Sequence, residues 1–133
     1  MSNLFQHVLV PIDLSPCSGA ALKLASQLAR EHGAKLAVLH ATDAAPGGAA
    51  SAERAEVEAF VSSVLASAPV PHLLMATGSA RDVILKVADD LGCDVIVLGT
   101  HGRTGRRRML AGSVAESVMR TANCPVITVR DPS

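Results

Sequence analysis

Three glycines and a serine, spaced Gly99-x2-Gly102-x9-Gly112-Ser113, are the residues of this chain best suited to chemistry on an anion. Glycine lets the main chain take φ > 0 and approach a ligand with no Cβ in the way. A helix starting near Ser113 aims unpaired N–H groups and the positive end of its dipole at the same loop, which is how a backbone seats a phosphate. Ser113 can cap that helix and still donate to a phosphate oxygen. A side chain at Gly102 would strain an αL backbone by roughly 1–2 kcal/mol and fill the space a phosphate needs. The spacing is not the G-x-G-x-x-G of dinucleotide folds, and the chain contains no G-x-x-x-x-G-K-[ST], so neither of those sites is expected.

Asp13 stands at the end of the apolar run His7-Val-Leu-Val-Pro-Ile12. A carboxylate in that position needs partners, either as the N-cap of the segment after Ser15 or as an acceptor for a nucleoside hydroxyl or amine. His101, inside the glycine loop, is either solvated or in contact with ribose or phosphate. His40 lies within an apolar run and reads as a core histidine with its polar atoms satisfied. The cluster Arg103, Arg106, Arg107 and Arg108 reads as a solvated face, because exposed charge pairs are worth only about 0–1 kcal/mol each. At most one of these arginines is expected to help hold a phosphate.

The elements that would position these residues follow from periodicity. Short apolar runs, His7 to Ile12, Lys35 to His40, His72 to Thr77, Cys93 to Leu98 and Pro125 to Val129, alternate with longer stretches of helical spacing. Leu22, Ala25, Leu28 and Ala29 form one helical stripe that Gly33 stops, and Val57, Phe60, Val61, Val64 and Leu65 form another, ended by Pro69 and Pro71. Ser79 with Asp82 opens a third helix that Leu91-Gly92 closes, and Ser113 opens the fourth. Pro46-Gly-Gly-Ala-Ala50 reads as the most mobile connection. Strands alternating with helices predict an α/β fold, a single-domain doubly wound parallel sheet with helices on both faces. Ligands then belong at the carboxyl ends of the strands, where Asp13, the segment from His40 to Asp43, Thr77-Gly78 and the Gly99 loop lie. Periodicity alone does not make the first and fourth strands neighbours.

Composition narrows the classes. The 133 residues suit one domain, 1–133. Apolar residues make up 49%, yet Trp and Tyr are absent and Phe occurs only at Phe5 and Phe60, so Ala, Val, Leu and Ile must build the core. A formal net charge of zero removes any global electrostatic case for nucleic acid or an anionic membrane. Cys17, Cys93 and Cys124 are odd in number and widely spaced, indicating neither a disulfide framework nor a zinc site. With no secretory leader and no membrane-length apolar run, a soluble, cytoplasmic protein is expected.

Val8-Leu-Val-Pro-Ile-Asp13-Leu-Ser15, the glycine pattern from Gly99 to Ser113 and the closing Cys124-Pro-Val-Ile-Thr-Val129 together resemble the universal stress protein family, in its nucleotide-binding branch. The resemblance spans essentially the whole chain and implies five parallel strands in the order 3-2-1-4-5. It implies ATP as ligand, often with a divalent cation such as Mg2+, and a homodimer formed through the last strand, Val126 to Val129. By position, Pro11, Ile12 and Asp13 would lie against the adenosine, with the Asp13 carboxylate near base and ribose. Ala41 would meet adenine through its backbone. Gly99, His101, Gly102, Gly112, Ser113 and Val114 would line ribose and phosphates. The connection between Asp43 and Glu53 is short where longer relatives fold extra structure over the nucleotide, which implies a more open pocket. Ala111 replaces a larger apolar residue, a small packing change.

No G-x-S-x-G, H-E-x-x-H or comparable constellation is present, and no convincing base for phosphoryl transfer can be named. A nucleotide-dependent regulatory module is therefore the leading expectation, without catalytic residues and without a protein-bound metal. The alternatives are slow ATP hydrolysis or autophosphorylation, with Ser113 or Thr104 as acceptor, and a structural dimer that binds no nucleotide.

Overall fold

The computed structural model describes residues 5–43, 48–66, 71–100 and 113–130. The chain runs β1 (His7–Pro11), α1 (Pro16–His32), β2 (Lys35–Thr42), α2 (Gly48–Leu65), β3 (His72–Thr77), α3 (Ala80–Leu91), β4 (Val95–Gly99), α4 (Ser113–Thr121) and β5 (Val126–Val129). All neighbouring strands pair parallel in the order β3-β2-β1-β4-β5. The α/β class and the 3-2-1-4-5 order are both observed.

Alternation along the strands divides the core into two layers, because successive side chains in a strand point to opposite faces. Val8, Val10, Val38, Val95 and Val97 meet Ala21, Leu22 and Ala25 of α1 and Val57 and Val61 of α2. Leu9, Ala37, Leu39, Ile96 and Leu98 meet Val83, Ile84 and Ala88 of α3 and Ala115 and Val118 of α4. Burial on both faces explains why the strands read as continuous apolar runs.

Helix ends follow the chemistry of their capping residues. Ser15 and Ser79 cap α1 and α3, accepting hydrogen bonds from the N–H groups of Ser18 and Asp82. Gly33 and Gly92 close the same helices at φ 64°, a left-handed conformation favouring glycine. Some boundaries differ from the sequence reading. β1 ends at Pro11 rather than Ile12, and β2 continues two residues past His40 because Ala41 and Thr42 still pair with Ala76 and Thr77 of β3. β4 runs from Val95 to Gly99 rather than from Cys93 to Leu98. The connection expected to be most mobile partly forms helix, since α2 starts at Gly48; Pro46 and Gly47 lie outside the described residues.

Candidate functional site at the parting of two central strands

The β1–β4 ladder holds register through Val8–Val95 and Leu9–Ile96 and goes no further. Beyond it β1 stays with β2 as far as Pro11–Leu39, while β4 stays with β5 as far as Gly99–Val129. The two central strands therefore part at their carboxyl ends, where the strand order reverses, and Asp13 and Gly99 follow from adjacent strands. This is the topological switch point at which open α/β sheets place their ligand crevice.

The β1 wall is held by a dense set of hydrogen bonds. The Ile12 N–H donates to Leu39 O at 2.8 Å, and Ile12 O lies 3.0 Å from His40 Nδ1. Asp13 N–H donates to Ser18 Oγ at 3.3 Å, and Asp13 Oδ1 accepts from the Ser15 N–H at 3.1 Å. Asp13 is thus not the helix cap: Ser15 has that role and Asp13 braces the turn leading to it. Between them Leu14 sits at φ 68°, a left-handed conformation uncommon for leucine. Such strain persists where the surroundings over-determine it, and the bonds on either side of Leu14 do so.

Gly99 closes the β4 wall. A Cβ built on it would lie 2.9 Å from the carbonyl carbon of Cys17 and 3.1 Å from its Sγ, so here the absent side chain makes room for the first turn of α1. Val129 O collects the Thr100 N–H at 3.0 Å and the Cys17 thiol at 3.0 Å, pinning the end of β4 to β5 and α1. The positive pole of α1 therefore lies at this end of the sheet.

Of the remaining sequence candidates, Ala41 lies within β2 opposite Ala76, beside His40. Ser113 opens α4, and Val114 is half-buried against the α3–α4 layer. His101, Gly102 and Gly112 lie outside the described residues, as do Thr104, Ala111 and Arg103, Arg106, Arg107 and Arg108. Among the described residues no cluster of three metal-ligating side chains occurs, and no helix is long and apolar enough to cross a membrane.

The buried His40 has both ring nitrogens engaged, as expected of a core histidine. Its second partner went unnoticed in the sequence. Nε2 lies 2.7 Å from Glu53 Oε2 on α2, and Thr42 Oγ1 donates to Glu53 Oε1 at 2.6 Å. No local pattern announces a contact between a strand and a helix across an intervening connection. A buried histidine followed along the same strand by Thr42, with a glutamate in the second turn of the next helix, was the available signal.

The amino ends of the strands carry different chemistry. Asp94 Oδ2 and Oδ1 accept from the N–H groups of Gln6 and His7 at 2.8 and 3.2 Å. Burial pushes the Cys93 thiol up from 9.0 to about 11, helped by Cys124 and Asp94, and burial raises Cys124 as well. A cleft lined by His7, Arg30, Lys35 and His72 opens at this end, against the carboxyl terminus of α1, whose negative pole accounts for nearby basic residues.

A parallel sheet in the order β3-β2-β1-β4-β5, whose β1–β4 ladder ends short of the carboxyl ends, defines the class: an open α/β domain, a fold in which ligands sit at the switch point. Within that class the chain belongs to the universal stress protein family, whose sequence profile matches residues 4–130. It is 32% identical to universal stress protein MJ0531 of Methanocaldococcus jannaschii over 98% of this chain and 85% of that protein. A universal stress protein solved in complex with cAMP superposes with a TM-score of 0.73 at 28% identity, over 94% of this chain and 96% of the other. The universal stress protein of Archaeoglobus fulgidus solved with dAMP superposes with a TM-score of 0.71 at 25% identity, over 95% and 98% of the two chains.

Proposed function

We propose that this domain binds an adenine nucleotide, ATP in the first place, at the β1–β4 crevice and acts as a nucleotide-dependent regulatory module. The observation that carries this reading is the parting of β1 from β4 beyond Leu9–Ile96, which leaves the ends of both strands to face a ligand. Relatives solved with cAMP and dAMP support an adenine nucleotide as the occupant.

In this reading Pro11, Ile12, Asp13 and Ala41 form the nucleoside side, and the Asp13 carboxylate accepts from ribose or base. Gly99, His101, Gly102, Gly112, Ser113 and Val114 form the ribose and phosphate side. Main-chain N–H groups bonded to anionic oxygens contribute roughly 1.5–3 kcal/mol each, so three or four suffice for micromolar binding, about −8 kcal/mol, after the losses of association. A divalent cation would accompany the triphosphate, held by phosphate oxygens and water. His40 offers no base for hydrolysis, because both its nitrogens are committed; the site binds and releases. Occupancy acts on the 102–112 loop and through it on a partner protein in the cytoplasm. β5 is an edge strand of the sheet, and its unpaired groups suit a homodimer through Val126–Val129.

Titration calorimetry with ATP and AMP, together with mass spectrometry of any copurifying small molecule, tests the reading. Asn at position 13 keeps the acceptor for the Ser15 N–H but removes the charge, so Asp13→Asn should weaken both nucleotides by roughly tenfold or more. Gly102→Val should abolish ATP binding. Flat titrations of the unmodified protein freed of nucleotide would end the proposal. For the dimer, Ile127→Pro should shift the sedimenting mass to that of a monomer; an unchanged mass places the interface elsewhere.

A further inference from the structure

We infer that His40 and Glu53 are positioning residues for the nucleoside, through which the docking of α2 and the Ile12–Asp13 wall are energetically coupled. The inference rests on the nucleotide reading above and adds a means of regulating that site.

His40 is 7% exposed and adds a polar link between the end of β1 and α2, which already share the apolar layer of Val10, Ile12, Val57 and Val61. On one side Nδ1 stands 3.0 Å from Ile12 O, and on the other Nε2 stands 2.7 Å from Glu53 Oε2. A carbonyl oxygen only accepts, so Nδ1 carries a hydrogen. A carboxylate opposite Nε2 then requires a second proton between Nε2 and Oε2, one more than a neutral imidazole and a carboxylate hold together. His40 is buried while the Glu53 side chain is half-buried at the edge of the same layer. Thr42 donates to the other carboxylate oxygen at 2.6 Å, fixing the plane of the carboxylate and with it the reach of α2.

The consequence for the crevice runs through Ile12. Its N–H is held by Leu39 O and its carbonyl by His40, so β2 fixes the carbonyl side of the peptide that delivers Asp13, whose N–H is held by Ser18 Oγ of α1. The next residue but one, Leu14, is held in its left-handed conformation at φ 68°. A wall built on such a turn keeps its shape while its anchors hold, and the His40 anchor is itself braced by α2. The body of α2 packs through Val57, Val61, Phe60 and Val64, while Glu53, near its start, is the polar link to the sheet. A nucleoside pressed against Ile12 and Asp13 therefore tightens the docking of this part of α2. By linkage, docking of α2 raises nucleoside affinity by the same factor.

The test combines AMP titration calorimetry with amide hydrogen exchange across α2, with and without saturating AMP, on the full chain. In the unmodified protein AMP should slow exchange across the start of α2. Glu53→Ala should weaken AMP by roughly tenfold, within the usual range of coupling, and bound AMP should no longer protect α2. Glu53→Gln can accept from Thr42 and donate to an unprotonated Nε2, so it should restore affinity to within about threefold and restore the protection. Unaltered AMP affinity and unaltered AMP-dependent protection in Glu53→Ala would overturn the coupling while leaving nucleotide binding intact. No AMP binding by the unmodified protein would overturn both. Should Glu53→Ala fail to fold, Thr42→Val decides the matter by the same two measurements: weaker AMP with loss of protection supports the coupling, and no change in either overturns it.

Discussion

The two ends of the sheet handle their exposed main-chain groups in opposite ways. At the amino ends, one carboxylate, Asp94, takes up the N–H groups of Gln6 and His7 and ties β1 to β4. At the carboxyl ends, the same two strands are pulled apart, each anchored to its outer neighbour, and polar side chains from β2 and α2 brace the wall that results. The amino end also carries a cleft lined by His7, Arg30, Lys35 and His72. Among its described lining residues there is neither a carboxylate nor a left-handed non-glycine residue, in contrast to the Leu14 turn beside Asp13. The lesson is that a crevice in this fold is made by interrupting a ladder, and sealing the ladder with a side chain closes it.

The largest effect should come from the point where the carboxyl end is packed tightest. Gly99→Ala places a methyl 2.9 Å from main-chain atoms of Cys17, and overpacking against backbone should destabilise the domain by about 3 kcal/mol or more, read from urea denaturation. A variant as stable as the parent would show that α1 and β4 separate freely.

At the amino end, alkaline pH should act through the thiols. The folded Cys93 titrates near 11 and the unfolded one near 9.0, so the unfolded chain loses its proton first. Stability is then fully present below pH 9 and falls as pH rises toward 11, by up to about 3 kcal/mol. Denaturation curves at pH 8 and 10.5 measure this, and Cys93→Ala should flatten the slope.

Asp94→Ala removes the acceptor shared by two N–H groups and should cost about 2 kcal/mol without changing nucleotide affinity. A change in affinity would mean that the two ends communicate. The smallest effect belongs to a cap: Ser79→Ala should lower stability by about 1 kcal/mol through α3 alone, as seen in thermal melts.

Much of this was readable from residue order. Runs of Val, Ile and Leu marked all five strands because a sheet covered on both faces leaves no polar alternation to confuse with a loop. Gly33, Ser79 and Gly92 set helix ends through local backbone chemistry, which needs no tertiary information. The adjacency of β1 and β4 came from family resemblance, since periodicity carries no strand order. Ser15 rather than Asp13 capping α1 was not readable, because both residue types cap and the choice depends on the turn at Leu14. Glu53 was missed for a related reason: its partners His40 and Thr42 are reached across a connection, and α2 begins at Gly48, where a glycine pair reads as a break.

The crowding around Gly99 bears on how kinship with this chain should be judged. Its lack of a side chain is demanded by the framework, since the first turn of α1 already fills the volume. A relative that binds no phosphate at all would still be compelled to keep it. Anyone sorting nucleotide users from mere look-alikes by tallying glycines would do better to discount this one.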